Sequence, residues 1–149
     1  MKKYLIVLAI LLYTFTSCED DDFCYEETTP RLIFGFYDKD SPTTKKALPI
    51  YVWADSKDSI YQLATVDSIL VPLDTQKTST LYKIASTNII DEFNFNYTVS
   101  DKYISESCGY IAIFNDFSLK SHTSNWIDRV DITVTKVENE TQTHVKIYH

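Results

Sequence analysis

Beyond residue 30 the chain alternates apolar and polar positions with a period of two, the spacing of a strand with one buried face. Leu32, Phe34 and Phe36 share a face within residues 31–38, and Ile50, Val52 and Ala54 alternate with Tyr51 and Trp53. Further strands are expected over residues 59–64, 69–73 (closing at Pro72, which suits an edge or a strand end) and 81–85. Phe93, Phe95, Tyr97 and Val99 fall on one face opposite Asn94, Asn96 and Thr98. Residues 110–114 are apolar on both faces, which predicts a central, doubly covered strand. Val130, Ile132 and Val134, then Val145 and Ile147 after a polar stretch, predict a terminal hairpin. Loops are expected at residues 39–46, 74–79, 86–88 and 100–107, with room for one helical turn near 121–126. About seven to nine short strands without helical spacing imply an all-β fold. The expected form is an antiparallel β-sandwich, immunoglobulin-like or small barrel-like.

The first residues follow a different pattern. Lys2 and Lys3 precede an apolar run from Tyr4 to Phe15, then Thr16, Ser17 and Cys18. A basic start, an apolar stretch of about 7–15 residues and small residues before a cut describe a secretory signal. Such a run is shorter than the roughly 20 residues that cross a bilayer. Thr16-Ser17-Cys18 resembles the bacterial lipobox, in which the signal is cut before a cysteine that carries the lipid; Phe15 departs from the usual aliphatic residue. The acidic run Glu19–Asp22 reads as a solvated tether, and it also resembles the surface-export signal of Bacteroidetes lipoproteins. The expected organisation is a signal peptide at 1–17, a lipidated Cys18 and acidic tether at 18–30, and a β-sandwich at 31–149. The expected address is the outer membrane, lipid-anchored and exposed at the cell surface. Removal of residues 1–17 takes two lysines and no acid, so the net charge of −7 becomes −9.

Composition narrows the chemistry. Only two glycines are present, Gly35 and Gly109, so no Gly-rich phosphate loop exists. An acidic chain lacks the clustered Lys and Arg that neutralise nucleic-acid phosphates. Lipidation of Cys18 leaves Cys24 and Cys108, which an oxidising compartment would pair; two buried free thiols are the alternative. The spacing fits no C-x-x-C redox motif. Two cysteines with the scattered His122, His144 and His149 are too few for a metal site. No cofactor is expected.

No G-x-S-x-G elbow is present, and the histidines read as exposed polar residues, with His144 and His149 on opposite strand faces. Asp38 and Asp40 precede Ser41-Pro42, so a turn accounts for them more simply than general acid–base work; Asp128 and Asp131 form a similar isolated pair. No catalytic residue is expected. Tyr51, Trp53 and Trp126 are candidates for stacking on sugar rings, set against the ordinary use of aromatics in cross-strand packing. Asp58-Ser59-Ile60 and Asp67-Ser68-Ile69 resemble the Bacteroidetes O-glycosylation motif, with Ser59 and Ser68 as acceptors, although so short a motif also arises by chance.

Several ordered strings carry a wider resemblance. They include Cys24 with residues 28–33, Phe36-Tyr37-Asp38, Val71-Pro72-Leu73, Phe95-Asn96-Tyr97, Cys108-Gly109-Tyr110, residues 137–140 and residues 144–148. Together they resemble an uncharacterised Bacteroidetes lipoprotein family, domain of unknown function 6452. The resemblance implies an outer-membrane setting, a compact β domain and the pairing of Cys24 with Cys108, and it implies no activity. The expected role is a non-enzymatic binding or structural accessory of the cell envelope, with an envelope protein or a glycan as partner. A glycan-binding lipoprotein beside an outer-membrane importer is the alternative.

Overall fold

The segment Leu32–Tyr37 forms β1 and is buried along its whole length, an interior strand with a neighbour on either side in its sheet. This is a computed structural model that describes Cys24 and residues 28–149; residues 1–17, expected as a signal peptide, Cys18 and the acidic run lie outside the described residues. The remaining strands are β2 (Leu48–Ala54), β3 (Ser59–Val66), β4 (Ser68–Val71), β5 (Ser79–Ser86), β6 (Ile89–Ser105), β7 (Gly109–His122), β8 (Arg129–Ile132) and β9 (Val145–Tyr148). They form a four-stranded sheet in the order β4-β1-β9-β8 and a five-stranded sheet in the order β3-β2-β5-β6-β7. All pairings are antiparallel except β1 with β9. The fold is an all-β sandwich.

The alternation explains the two inner faces. From one sheet come Leu32, Phe34 and Phe36, with Ile69, Val71, Val145 and Ile147 in register beside them. The other supplies Ile50, Val52, Tyr82, Ile84, Phe93, Phe95 and Tyr97. Phe34 sits at the centre, edge-on to Tyr82, Phe93 and Phe95 at centroid separations of 6.2, 5.8 and 5.7 Å. Edge-to-face contacts of this kind contribute about 0.5–1.5 kcal/mol each beyond the area they bury. The Tyr82 hydroxyl donates to Pro72 O, and Tyr97 donates to Asp74 O at 2.8 Å, so the polar tips of the core tyrosines are bonded as well. On β1's other face Gly35 is required by close approach, since a Cβ there would stand 2.8 Å from the Tyr37 ring and 3.0 Å from Thr143.

The terminal hairpin forms as expected from β8 and β9, and β4, which stops at Val71 just before Pro72, is an edge strand. Four expectations need correction. Residues 110–114 belong to β7, which is the edge of its sheet and not a central strand. Both its faces are nonetheless covered from Ile111 to Phe114, though not at Tyr110, and its free edge is met by Thr29, whose Oγ1 accepts from Ala112 N at 3.1 Å, and by Val137, bridged to Phe114. The loop expected at 100–107 is strand as far as Ser105, closed by a short turn. The helical turn near 121–126 is absent: β7 runs to His122, and no helix occurs among the described residues. His144 is buried and not exposed. Its Nδ1 accepts from Ile33 N at 3.1 Å and its own N–H donates to Ile33 O at 2.9 Å, so it extends the β1–β9 pairing inward.

Candidate functional site

The outer face of the five-stranded sheet is built by the same alternation read from the other side. Ile50 and Val52 point inward, so Tyr51 and Trp53 point out. Tyr51 is paired with Ala85, which is paired with Ile90; Trp53 is paired with Lys83, which is paired with Glu92. Two cross-strand rows result, one apolar and one charged, lying side by side. Tyr51 is 37% exposed and Ile90 44%, while Trp53 is half-buried. Lys83 Nζ lies 2.8 Å from Glu92 Oε1, and that hydrogen bond raises the lysine's pKa.

Two shallow grooves meet at Trp53. One, of about 460 Å³, is lined by Tyr51, Trp53, Ser59, Ala85, Thr87, Asn88 and Ile90. The other, of about 360 Å³, is lined by Trp53, Lys83, Ile90, Glu92, Thr123 and Asn125. The resulting surface has an aromatic and aliphatic floor with amide, hydroxyl and charged groups along its margin. A larger groove of about 640 Å³ lies between Phe117–Leu119 and Ile132–Lys136. Its one charged side chain, Lys136, is already paired with Glu138 at 2.7 Å, so it offers less chemistry despite its size.

The polar margin depends on a residue that composition and motif did not single out. Asp91 is fully buried on β6, in phase with Phe93, Phe95 and Tyr97. Its Oδ1 accepts from Thr123 Oγ1 at 2.6 Å and Asn125 N at 2.7 Å; its Oδ2 accepts from Trp126 N at 3.0 Å and Ile127 N at 3.3 Å. A carboxylate is the side chain suited to this position, because it accepts at both oxygens and donates at neither. The clamp folds the segment after β7 against the sheet end and so places Thr123 and Asn125 at the groove. An acid in the inward phase of an otherwise aromatic strand was the available signal.

The other candidates are distributed. Trp126 does not join Tyr51 and Trp53: it is half-buried, donates from Nε1 to Ile84 O at 3.3 Å and packs on His149 at 5.9 Å. Ser59 Oγ donates to Val52 O at 3.1 Å, and Ser68 Oγ donates to Asp67 Oδ1 at 2.7 Å, so both hydroxyls are engaged in local structure. Asp38 Oδ1 accepts from Asp40 N at 2.8 Å and Ser41 N at 3.2 Å, the turn expected there. Among the described residues no group of three His, Cys, Asp or Glu is arranged to hold a metal ion, and no histidine nitrogen is hydrogen-bonded to a carboxylate. Cys24 and Cys108 form a disulfide with a Cα–Cα separation of 4.9 Å.

Residues 49–149 match a family described as a family of unknown function (DUF6452). The chain belongs to DUF6452. The DUF6452 match contains β2 from Pro49 onward and β3 to β9, the two grooves at Trp53, Asp91 and Cys108. It is narrower than the sequence resemblance, which also took in Cys24 and residues 28–38. No curated protein and no solved structure matches the chain.

Proposed function

We propose that this DUF6452 protein is a lipid-anchored module of the bacterial cell envelope, held on Cys18 at the outer membrane and acting by binding rather than by catalysis. The observation that carries this is the Cys24–Cys108 disulfide. It uses two of the three cysteines and leaves Cys18, directly after Thr16-Ser17, as the odd one at a lipobox-like junction. Intact-mass analysis of the full-length protein from a bacterial envelope tests it. Loss of residues 1–17 with a diacylglycerol-type adduct on residue 18, abolished by Cys18→Ser, is the expected result. An unmodified Cys18 overturns it.

A second proposal concerns what is bound. Tyr51 and Trp53 share one solvent face with Lys83, Glu92, Asn88 and Asn125 around them, an arrangement that suits a sugar ring: an aromatic platform for its apolar face and polar groups for its hydroxyls. Binding to an array of bacterial and host glycans would be lost in Tyr51→Ala/Trp53→Ala and kept in Trp126→Phe. Equal binding by the wild type and the double variant overturns it.

A further inference from the structure

The β6–β7 hairpin is longer than the sandwich requires. Pairing of β5 with β6 ends at Ser79 opposite Asn96, yet the β6–β7 ladder continues to Ser105 opposite Gly109. Past Tyr97, therefore, β6 has only β7 beside it. Two-stranded ribbons are marginally stable alone, and this one is stapled at its turn by the Cys24–Cys108 disulfide. Gly109, with φ of +68°, turns the chain back immediately after Cys108. Near the tip Tyr103 and Tyr110 stand directly opposite each other with ring centroids 5.2 Å apart. They are 52% and 69% exposed, so the core makes no use of most of their surface.

We infer that this tip is a bilayer-contacting element in which Tyr103 and Tyr110 rest at the level of phospholipid headgroups. The inference rests on the anchoring of Cys18 proposed above. Cys18 precedes Cys24 by six residues, a span of at most about 20 Å when fully extended. The disulfide passes that restraint to Cys108, two positions before Tyr110. A lipid on Cys18 thus holds the hairpin tip within reach of the membrane surface, where the amphipathic tyrosine ring is favoured, with an apolar body and a polar hydroxyl. Asp101 on the tyrosine face, Glu106 in the turn and the acidic Glu19–Asp22 run next to the anchor oppose an anionic surface. Zwitterionic phosphatidylethanolamine and phosphatidylcholine are therefore the preferred headgroups.

Hydroxyl-radical footprinting of the full lipidated chain, reconstituted into phosphatidylethanolamine/phosphatidylcholine vesicles, tests this. The comparison is the Cys18→Ser protein mixed with the same vesicles. Tyr103 and Tyr110 should be oxidised several-fold more slowly in the lipidated sample, with Tyr51 labelled equally in both. Protection should weaken when phosphatidylglycerol replaces the zwitterionic lipids. Equal labelling of Tyr103 and Tyr110, in protein whose mass shows an acylated Cys18, overturns the contact and leaves the anchoring intact. An unmodified Cys18 overturns both. Protection that disappears as the protein is diluted on the vesicle surface assigns the tyrosines to a second copy of the chain, which also overturns the contact.

Discussion

Replacing Asp91 should do more damage than any exposed acid in the chain. Four donors converge on its carboxylate, and hydrogen bonds to a charged acceptor contribute about 1.5–3 kcal/mol each when apportioned singly. They do not add in full. Thr123 and Asn125 are exposed, so their donors recover water, whereas Ile127 is buried and Trp126 half-buried. Asp91→Ala strands those two amides at about 1–3 kcal/mol apiece and frees the segment they anchor, for a total near 3–5 kcal/mol. Asp91→Asn is the sharper test. Whichever way its amide turns, the NH2 group faces at least one backbone N–H donor, since only the Thr123 hydroxyl can reverse to accept, so a nearly isosteric change should still cost about 1–3 kcal/mol. Urea unfolding of the Cys18→Ser protein with its disulfide intact would measure this, and amide exchange would locate it, with protection lost first over residues 123–127. A stability for Asp91→Asn within about 0.5 kcal/mol of the parent, the range of an ordinary surface change, would refute the clamp.

Three other outcomes are expected. Burial lowers the pKa of His144, while the unfolded imidazole titrates near 6.5. Below that pH the unfolded chain takes up a proton that the folded chain does not, so stability holds above about pH 6.5 and declines as the pH falls toward the folded pKa; unfolding across pH 5–7 should show a slope that His144→Gln removes. Reducing Cys24–Cys108, with its sequence separation of 84, should cost about 4.5 kcal/mol on the chain-entropy account, read as a drop in urea midpoint with reductant. Gly35→Ala should cost about 1–3 kcal/mol through overpacking against Tyr37 and Thr143, measured by thermal melting.

What the sequence disclosed follows from where burial enforces alternation. Inside the sandwich each strand must put one face on the core, so Leu32, Phe34 and Phe36, or Phe93, Phe95 and Tyr97, announce both strand and facing. Beyond Tyr97 burial passes to β7, whose Ile111–Phe114 are buried opposite Val99–Lys102, while β6 itself is largely exposed; there the requirement lapses, and Ser100–Ser107 reads as loop although it is largely strand. Covering of β7 at its edge by Thr29 and Val137 imitates the doubly buried composition of a central strand. His144 reads as exposed because its partner, Ile33, lies 111 residues away, and no local pattern reports such a contact. The outward pairing of Tyr51 with Trp53 was legible from alternation alone. The Thr123–Asn125 margin was not, because Asp91 creates it through tertiary hydrogen bonds.

Strand β6 connects the two exposed features to which function is attributed. Its first half supplies Ile90 and Glu92 to the groove and Asp91 to the clamp; its second half carries Tyr103 toward the disulfide at the tip. From Ile90 to Tyr103 is thirteen residues, up to about 43 Å at the rise of an extended strand, less whatever the bulges in this ladder take up. Bonded to β5 from Ile89 to Asn96 and to β7 from Phe93 to Ser105, the strand acts as a spacer that a flexible tether could not provide. With the tip resting on the bilayer, as proposed, the Tyr51–Trp53 surface is held away from the headgroups and can engage a partner too bulky to approach a lipid surface. Shortening the ribbon by deleting the pairs Lys102/Ile111 and Tyr103/Tyr110, which spares the core residues Ala112 and Phe114, should therefore impair capture of a large envelope-bound partner while leaving binding of a small soluble ligand unchanged, and equal loss of both would show that the ribbon serves folding and not distance.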